Sequence, residues 1–281
     1  MSWEVRYVKR LDFNEFMKRK VTAVNRTCEK HGGKLYMLES GTEPFCIQCR
    51  KEKVEAEDLE RAKQADWIEK RKSTYDWLLQ RSIIADSTIK RATFKNYERM
   101  DRETTENAEK AFQIAKRYLA GETFNTVFNG KQGAGKTHLS HAILDYINEN
   151  SEEPKKCLFI SVDELFRILK AGISSKDFHQ SDFFWIDKTI AEADFLVLDD
   201  LGSEVGSIDS DKTASEYITT RLYAIANARQ GKSTIITTNL SSENLVRIYD
   251  RRLVSRLLAN SKGNIIVFKE TTDKRMNNFG F

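Results

Sequence analysis

The segment from Gly130 to Thr137 reads GKQGAGKT and places three glycines, a lysine and a hydroxyl at the spacing of a phosphate-binding loop. Glycine allows backbone angles that side chains forbid, so successive N–H groups can turn inward around a phosphate at a helix N-terminus. Lys136 would reach the β- and γ-phosphates, and Thr137 would place its hydroxyl on Mg²⁺. The remaining residues predicted to contact the nucleotide are Gly130, Gln132, Gly133, Ala134, Gly135 and His138.

The residues around this loop support the prediction. Phe124–Phe128 is typical of a short strand, and apolar residues recur at helical spacing after the loop, at Leu139, Ala142, Ile143 and Ile147. Strand, glycine loop and helix are the order that phosphate binding requires. A surface turn with an ordinary exposed lysine is the alternative, and this context disfavours it.

A second apolar segment ends in two carboxylates, Asp199 and Asp200. Asp199 at the strand tip could hold Mg²⁺ through water, and Asp200 could orient or deprotonate the water that attacks the γ-phosphate. Two exposed acids in a turn are the alternative. Glutamate is commoner at the second position in ATPases, so the shorter aspartate favours hydrolysis that is slow or stimulated by assembly.

Two later segments carry polar residues with candidate roles at the same site. Asn239 follows a β-branched strand at 233–238 and would contact the γ-phosphate or its attacking water; the rival role is capping a helix that starts near Ser241. A helix over 250–257 carries three arginines, and one of them could reach a neighbouring subunit's γ-phosphate. Without an oligomer, these arginines would be surface charge.

The N-terminal region contains a candidate zinc site. Two residues separate Cys28 from His31 and Cys46 from Cys49, and fourteen residues separate the two pairs. Three thiolates and one imidazole form a closed tetrahedral set typical of structural Zn²⁺, whereas unrelated free thiols are the alternative. Cys157 stands apart and is predicted to be a buried core thiol.

Composition and charge indicate a helix-rich cytoplasmic protein without a membrane segment. The chain has 281 residues, of which 40% are hydrophobic and 31% charged, and its apolar runs are too short to span a bilayer. The first residues lack the apolar stretch of a secretory signal. The net charge of +4 is uneven, because residues 1–100 hold 22 lysines and arginines against 16 acids. This bias permits a nucleic-acid or acidic partner without establishing either.

Three regions are predicted along the chain: a metal-stapled module over 1–50, a helical connector over 51–90 and a nucleotide-binding domain over 91–281. The connector is either a solvated spacer or a partner-binding helix that uses Trp67 and Trp77. The domain alternates helices with strands near 124–128, 157–162, 194–199, 233–238 and 264–268. This alternation predicts an α/β fold whose parallel sheet is covered on both faces, with phosphate bound at the carboxyl end of its first strand.

The motifs together resemble the DnaC/DnaI family of AAA+ replicative helicase loaders. The resemblance covers about residues 90–281. It lies in four motifs in this order: the phosphate loop, the Asp-Asp strand, the Thr-Thr-Asn strand and the Ser-Arg-Leu helix. Further segments typical of the family are Ala92-Thr93-Phe94, Lys136-Thr137-His138-Leu139 and Asp199-Asp200-Leu201-Gly202. The Cys/His module is similar to the zinc-binding N-terminal domain of DnaI-type loaders, which contacts the helicase.

This resemblance implies an AAA+ domain without a C-terminal helical lid that binds ATP and Mg²⁺. Arg256 would be the arginine finger, which acts across a subunit boundary, with Arg252 as the rival, and Arg275 would be a second sensor. The implied partners are a DnaB-type helicase, single-stranded DNA and further copies of this chain in a ring or spiral. An insertion before the Asp-Asp strand would touch DNA, with Phe183, Phe184 or Trp185 as candidates, although an aromatic trio is more often core.

Two other functions remain open at this point. An IstB-like transposition helper would act with a transposase on duplex DNA, but the zinc module favours the loader. A small-molecule kinase could use the same phosphate loop, although Asn239 and the arginine-bearing helix fit that function poorly.

Overall fold

The computed structural model describes residues 21–38, 41, 43–174, 180–205 and 213–271. The chain divides into two compact units, Met1–Ile68 and Glu69–Phe281. None of the helices in the described ranges combines the length and apolar character that a membrane span requires.

The first unit contains an antiparallel hairpin followed by the start of a long helix. Strands β1 (Val21–Thr27) and β2 (Lys34–Leu38) pair with Val21 opposite Leu38, and helix α1 spans Ile47–Asp76. Gly32, at φ 68°, occupies the left-handed region in the turn between the strands. This turn is closed by two backbone bonds between Cys28 and the Gly32–Gly33 pair, of 2.7 and 2.8 Å.

The second unit is an α/β domain built on one parallel sheet, as predicted. The sheet has five strands in the order β4-β5-β6-β3-β7. The strands are β3 (Thr126–Gly130), β4 (Cys157–Ser161), β5 (Phe195–Asp199), β6 (Ser233–Thr238) and β7 (Ile265–Phe268). The helices are α2 (Arg102–Leu119), α3 (Lys136–Asn150), α4 (Val162–Ser174), α5 (Gln180–Glu192), α6 (Glu216–Ala228), α7 (Ser242–Ile248) and α8 (Arg251–Leu257).

Alternating strand residues build a separate core on each face of the sheet. In β4, Phe159 packs with helices α2 and α3, whereas Leu158 and Ile160 pack with α4, α5, α6 and α8. All three side chains are at most 1% exposed. Strands β4, β5 and β6 are buried on both faces, as parallel strands usually are, whereas Ile265 and Val267 of the edge strand β7 are exposed.

The segment after α1 runs along the outer edge of the sheet. Ile83 pairs with β4 through two backbone bonds, from its N–H to Phe159 (2.9 Å) and from the Ser161 N–H to its carbonyl (2.8 Å). The edge strand β4 is therefore covered by the chain itself.

Trp77 belongs to the core of the second unit, so at this position the connector is neither a solvated spacer nor a partner-binding surface. Its side chain is 4% exposed and lies under two cations, with the Arg81 guanidinium 4.3 Å and the Lys156 ammonium 4.7 Å from the ring. Trp67 is half-buried in the first unit.

Candidate nucleotide site and candidate zinc site

The loop between β3 and α3 has the backbone of a phosphate cradle. Gly130, Gly133 and Gly135 have φ angles of 149°, 73° and 98°, which L side chains rarely adopt. A Cβ on Gly130 would lie 2.5 Å from the Phe268 carbonyl oxygen, and a Cβ on Gly135 would lie 2.9 Å from the Tyr97 ring. Helix α3 has no side-chain cap, so its first-turn N–H groups remain available to an anion bound in the loop.

Lys136 is folded back into this loop. Its side chain is buried, and its ammonium donates to the carbonyls of Gly130 (2.9 Å) and Lys131 (2.8 Å). These bonds hold the positive charge inside the ring of backbone N–H groups, where the β- and γ-phosphates of a nucleotide would lie.

Asp199 meets the phosphate loop at the carboxyl ends of the strands. Its carboxylate is 6% exposed, accepts a hydrogen bond from the Thr237 hydroxyl (2.7 Å) and is also hydrogen-bonded to Thr137. The pKa of Asp199 is raised to about 6, chiefly by burial and to a smaller extent by the neighbouring Asp200, against the opposing effect of these hydrogen bonds. A divalent cation between Thr137 and Asp199 would favour the charged carboxylate, so this donor set fits Mg²⁺.

Asp200 follows in a strained turn. Its φ angle is 59°, and its N–H donates to the Thr237 hydroxyl over 2.8 Å. Thr237 therefore bonds both members of the acidic pair, a role that sequence analysis missed. Both Thr237 and Thr238 are buried at the end of β6, and the sequence shows only that two polar residues end a β-branched strand.

Asn239 lies at the carboxyl end of β6, which runs between the phosphate-loop strand β3 and the acidic strand β5. Its side chain is exposed. The cap of α7 is Ser241, whose hydroxyl accepts from the Asn244 N–H (3.2 Å), so the capping role considered for Asn239 belongs to Ser241.

Arg256 lies at the opposite end of the sheet from the chain's own phosphate loop. It is exposed in the last turn of α8, and the next residue, Leu257, accepts through its carbonyl from Asn125 Nδ2 (3.1 Å). Asn125 precedes β3, whereas the phosphate loop follows it, and the strand between them is about 16 Å long. Arg252 is likewise exposed, and Arg275 lies outside the described residues.

The remaining loop residues differ in their surroundings. Gln132 is exposed and Ala134 is fully buried. His138 has a packing role, because its Nε2 is 2.9 Å from the Thr93 carbonyl and its ring lies edge-on to Tyr97. His141 makes the same kind of contact with the Ala92 carbonyl (2.9 Å).

The predicted aromatic trio on α5 is divided between core and surface. Phe183 is half-buried against the core, whereas Phe184 and Trp185 are 68% and 47% exposed.

The four predicted zinc ligands come together in the first unit. The donor atoms of Cys28, His31, Cys46 and Cys49 all lie within 4.8 Å of one another. Cys49 Sγ is 3.6 Å from Cys28 Sγ and 3.2 Å from His31 Nδ1. Tetrahedral Zn²⁺ with metal–sulfur bonds of about 2.3 Å separates sulfur ligands by about 3.8 Å, so the spacing fits this ion.

A cation at this site would also stabilise the thiolate forms of the cluster. A hydrogen bond from the His31 backbone lowers the pKa of Cys28 to about 6, while the neighbouring Cys28 raises the pKa of Cys49 to about 11. A second thiolate beside the first is thus disfavoured unless a positive ion joins them. Glu52, which sequence analysis missed, lies 2.9 Å from His31 Nε2 and leaves Nδ1 to face the thiols.

Comparisons with known proteins agree with this geometry. The family model for the bacterial DnaA ATPase domain matches residues 90–262. The replicative helicase loader DnaC of Escherichia coli strain K12 is 27% identical over 175 residues, which are 60% of this chain and 64% of the relative. The matched region thus spans less than two thirds of that relative's length.

Solved structures show the same fold. The crystal structure of the DnaC helicase loader has a TM-score of 0.53 and 25% identity, and the match covers 66% of this chain and all of that one. The crystal structure of DnaI has a TM-score of 0.51 and 22% identity over 67% of this chain and 96% of that one.

The second unit is therefore an AAA+ ATPase domain, with a phosphate loop and an acidic strand meeting at one edge of its sheet. Because the family model matches more than half of the chain, this protein belongs to the family of bacterial DnaA-type ATPase domains. Its homologues include proteins named replicative helicase loader DnaC.

Proposed function

We propose that this chain is a cytoplasmic, ATP-dependent loader that binds a hexameric DnaB-type replicative helicase and delivers it onto single-stranded DNA. The observation that carries the proposal combines the relatives with the geometry of the domain. The relatives are named as helicase loaders, and in this chain the nucleotide site and the candidate arginine finger, Arg256, lie at opposite ends of the sheet. This arrangement suits a protein that hydrolyses ATP only after several copies have assembled.

Five of the predicted site residues, Lys136, Thr137, Asp199, Asp200 and Asn239, have a role in the proposed hydrolysis within one copy. Lys136 and the loop N–H groups would hold the β- and γ-phosphates, while Thr137 and Asp199 would hold Mg²⁺. Asp200 would orient the attacking water, and Asn239 would contact that water or the γ-phosphate. Mg²⁺, when bound, would neutralise charge that develops on the phosphates.

Assembly would complete the site. About 16 Å of strand separates the end of the sheet near Arg256 from the chain's own phosphate loop, so its guanidinium would act on the triphosphate of an adjacent copy. An arginine supplied across a boundary can raise turnover by several decades. ATP would favour the assembled, DNA-engaged state, and hydrolysis would release the loader.

The zinc-binding module would contact the helicase, and the exposed Phe184 and Trp185 would stack on bases of single-stranded DNA. Base stacking is independent of sequence, as loading at many sites would require.

Loading onto a closed circle of single-stranded DNA tests the proposal, because a closed hexamer cannot thread onto a circle. The full chain, a DnaB-type helicase and ATP would be mixed with a circle that carries an annealed oligonucleotide, and oligonucleotide release would be measured. We expect release to depend on the chain and on ATP, and to be lost with Lys136→Ala.

Two outcomes would contradict the proposal. Equal release with and without the chain, together with no complex in size-exclusion chromatography with light scattering, would rule out a loader. Binding to a transposase instead of the helicase would support the IstB-like alternative.

A further inference from the structure

A half-buried carboxylate close to the acidic pair has no assigned part in hydrolysis. Glu204 lies in the turn Ser203–Val205, just after the acidic pair. Its Oε2 accepts a hydrogen bond from the Gly202 N–H (3.0 Å), and its Oε1 accepts one from the Tyr249 hydroxyl. Glu204 thus connects the acidic loop to a distant part of the chain.

Tyr249 stands at the junction of helices α7 and α8. It ends α7 and is 4% exposed, and the next residue, Asp250, is the N-cap of α8. The Asp250 carboxylate accepts from the Leu253 N–H over 2.8 Å. One peptide bond joins the two residues, so the position of Tyr249 is directly linked to the start of the arginine-bearing helix.

Tyr223 on α6 holds both ends of α8. Its hydroxyl donates to Asp250 Oδ1 (3.3 Å), and its ring lies 5.0 Å from the Arg256 guanidinium. Leu253 and Leu257 are buried beneath the helix. Tyr223 therefore contacts helix α8 both at its N-cap, next to Tyr249, and at the Arg256 side chain.

The acidic loop is fastened to the end of β6. The Leu201 carbonyl accepts from the Thr238 hydroxyl (2.8 Å), and its N–H donates to the Thr237 carbonyl (2.9 Å). A Cβ on Gly202 would lie 2.3 Å from Leu240 Cδ1, so the loop packs closely against this residue, just after β6.

We infer that the hydrogen bond between Glu204 and Tyr249 is a relay that couples nucleotide in a copy's own site to the placement of its Arg256 in the neighbouring site. Glu204 and Tyr249 are positioning residues in this relay. The inference rests on the proposed function, because it requires Arg256 to act across a subunit boundary.

The relay has a specific consequence for mixed assemblies. A copy that holds magnesium triphosphate between its loop and Asp199 places Arg256 in position for the neighbouring site. A copy that cannot bind nucleotide places Arg256 less well, so it stimulates its neighbour's hydrolysis less. Breaking the Tyr249 hydrogen bond removes this distinction without removing Arg256.

In the experiment, wild-type copies are mixed with an excess of full-length variant copies on single-stranded DNA with ATP, and ATP hydrolysis is measured. The variant copies do not hydrolyse ATP themselves and serve as donors, because each supplies its Arg256 to the site of a neighbouring wild-type copy. Asp200→Asn donors bind nucleotide without hydrolysing it, and Lys136→Ala donors do not bind it. We expect Asp200→Asn donors to support about fivefold faster hydrolysis than Lys136→Ala donors. With Tyr249→Phe, or with Glu204→Gln, added to both donors, we expect the two rates to become equal.

Matched controls separate a relay from a general loss of structure. Tyr217 is also on α6, and among the described residues its buried hydroxyl has no hydrogen-bond partner, so Tyr217→Phe should leave the fivefold difference intact. Fluorescent labels on the donors measure their incorporation, and rates are compared at equal incorporation.

The outcomes distinguish the relay from the function on which it rests. A fivefold difference that persists with Tyr249→Phe refutes the relay, as does an absence of any difference when Tyr249 is intact. If Arg256→Ala donors support hydrolysis as well as Asp200→Asn donors, the proposed action of Arg256 fails instead.

Discussion

The two candidate sites of this chain are built in different ways. The zinc ligands come from one short stretch, residues 28–49, whereas Thr137 lies in the first turn of helix α3 and Asp199 and Thr237 lie on two buried strands of the sheet. A metal ion would stabilise the fold around the first site, while the second site is positioned by a fold that has its own core. Loss of the zinc ion should therefore unfold the first unit, while loss of nucleotide should leave the second unit folded but inactive.

The largest effect should come from removing a zinc ligand. Cys46→Ser should release the metal and unfold the first unit, because a structural zinc site contributes about 10 kcal/mol or more to folding. Metal analysis and limited proteolysis of the full chain would measure this effect. Cys157→Ala, which removes a buried thiol of the second unit, should keep stoichiometric zinc. Retained zinc in Cys46→Ser would show that the four residues do not form the site.

The next effect concerns the phosphate loop. Lys136→Ala should weaken ATP binding about a hundredfold or more, because it removes a buried charge aimed at the phosphates, and should leave zinc content unchanged. Isothermal titration calorimetry would measure the affinity. Lys131→Ala, in the same loop but exposed, is the control and should change affinity little. Equal affinities of wild type and Lys136→Ala would show that nucleotide binds elsewhere.

Asp199→Asn should raise the stability of the nucleotide-free protein while it weakens the binding of ATP with Mg²⁺. The pKa of Asp199 is raised to about 6, so the folded protein holds this proton more tightly than the unfolded chain. The stabilisation from Asp199 is fully present below its unfolded pKa of about 4 and is lost as the pH rises through about 6. At pH 7.5, without nucleotide, Asp199→Asn should therefore be more stable than wild type, by at most about 3 kcal/mol.

Thermal unfolding of both proteins at pH 5 and pH 7.5 would test this prediction. The melting temperatures should differ more at pH 7.5 than at pH 5, and the Asp199→Asn variant should fail to bind ATP with Mg²⁺ tightly. A larger difference at pH 5 would contradict the assigned sign.

The smallest effect should come from Glu52, which lies behind the zinc ligands. Glu52→Gln keeps a hydrogen bond to His31 but removes the charge, so zinc should bind about tenfold more weakly while the module stays folded. Competition with a chromophoric chelator would measure the change. Glu55→Gln, an exposed position on the same helix, is the matched control. Identical affinities for both variants would show that Glu52 does not orient His31.

The local sequence pattern predicted most of the sheet but not the ends of its elements. Strand β3 was predicted at 124–128 and lies at Thr126–Gly130. Its end is shifted because Asn129 and Gly130 pair with Val267 and Phe268, which are more than a hundred residues away. Likewise, the predicted connector helix ends at Asp76, and Trp77 enters the core. Pairings of this kind depend on tertiary packing, which a local window does not contain.

The candidate sites show the same limit. The zinc ligands and the phosphate loop were predictable because each is a short motif with characteristic spacing. Three supporting residues were not predictable, namely Thr237, Glu52 and Tyr223. Each contacts a site residue that is distant in sequence, and such a contact leaves no local motif. Neither alternative for the connector anticipated the burial of Trp77, because a tryptophan in a charged helix has the same pattern whether it is exposed or buried.

The pairing of Ile83 with β4 has a practical consequence for truncated proteins. A fragment that began at residue 90 would expose the N–H and carbonyl groups of β4, and bare strand edges recruit other chains. It would also lose Trp77, whose indole ring is buried in the core. An isolated ATPase fragment should remain monodisperse at high concentration only if it starts before Trp77.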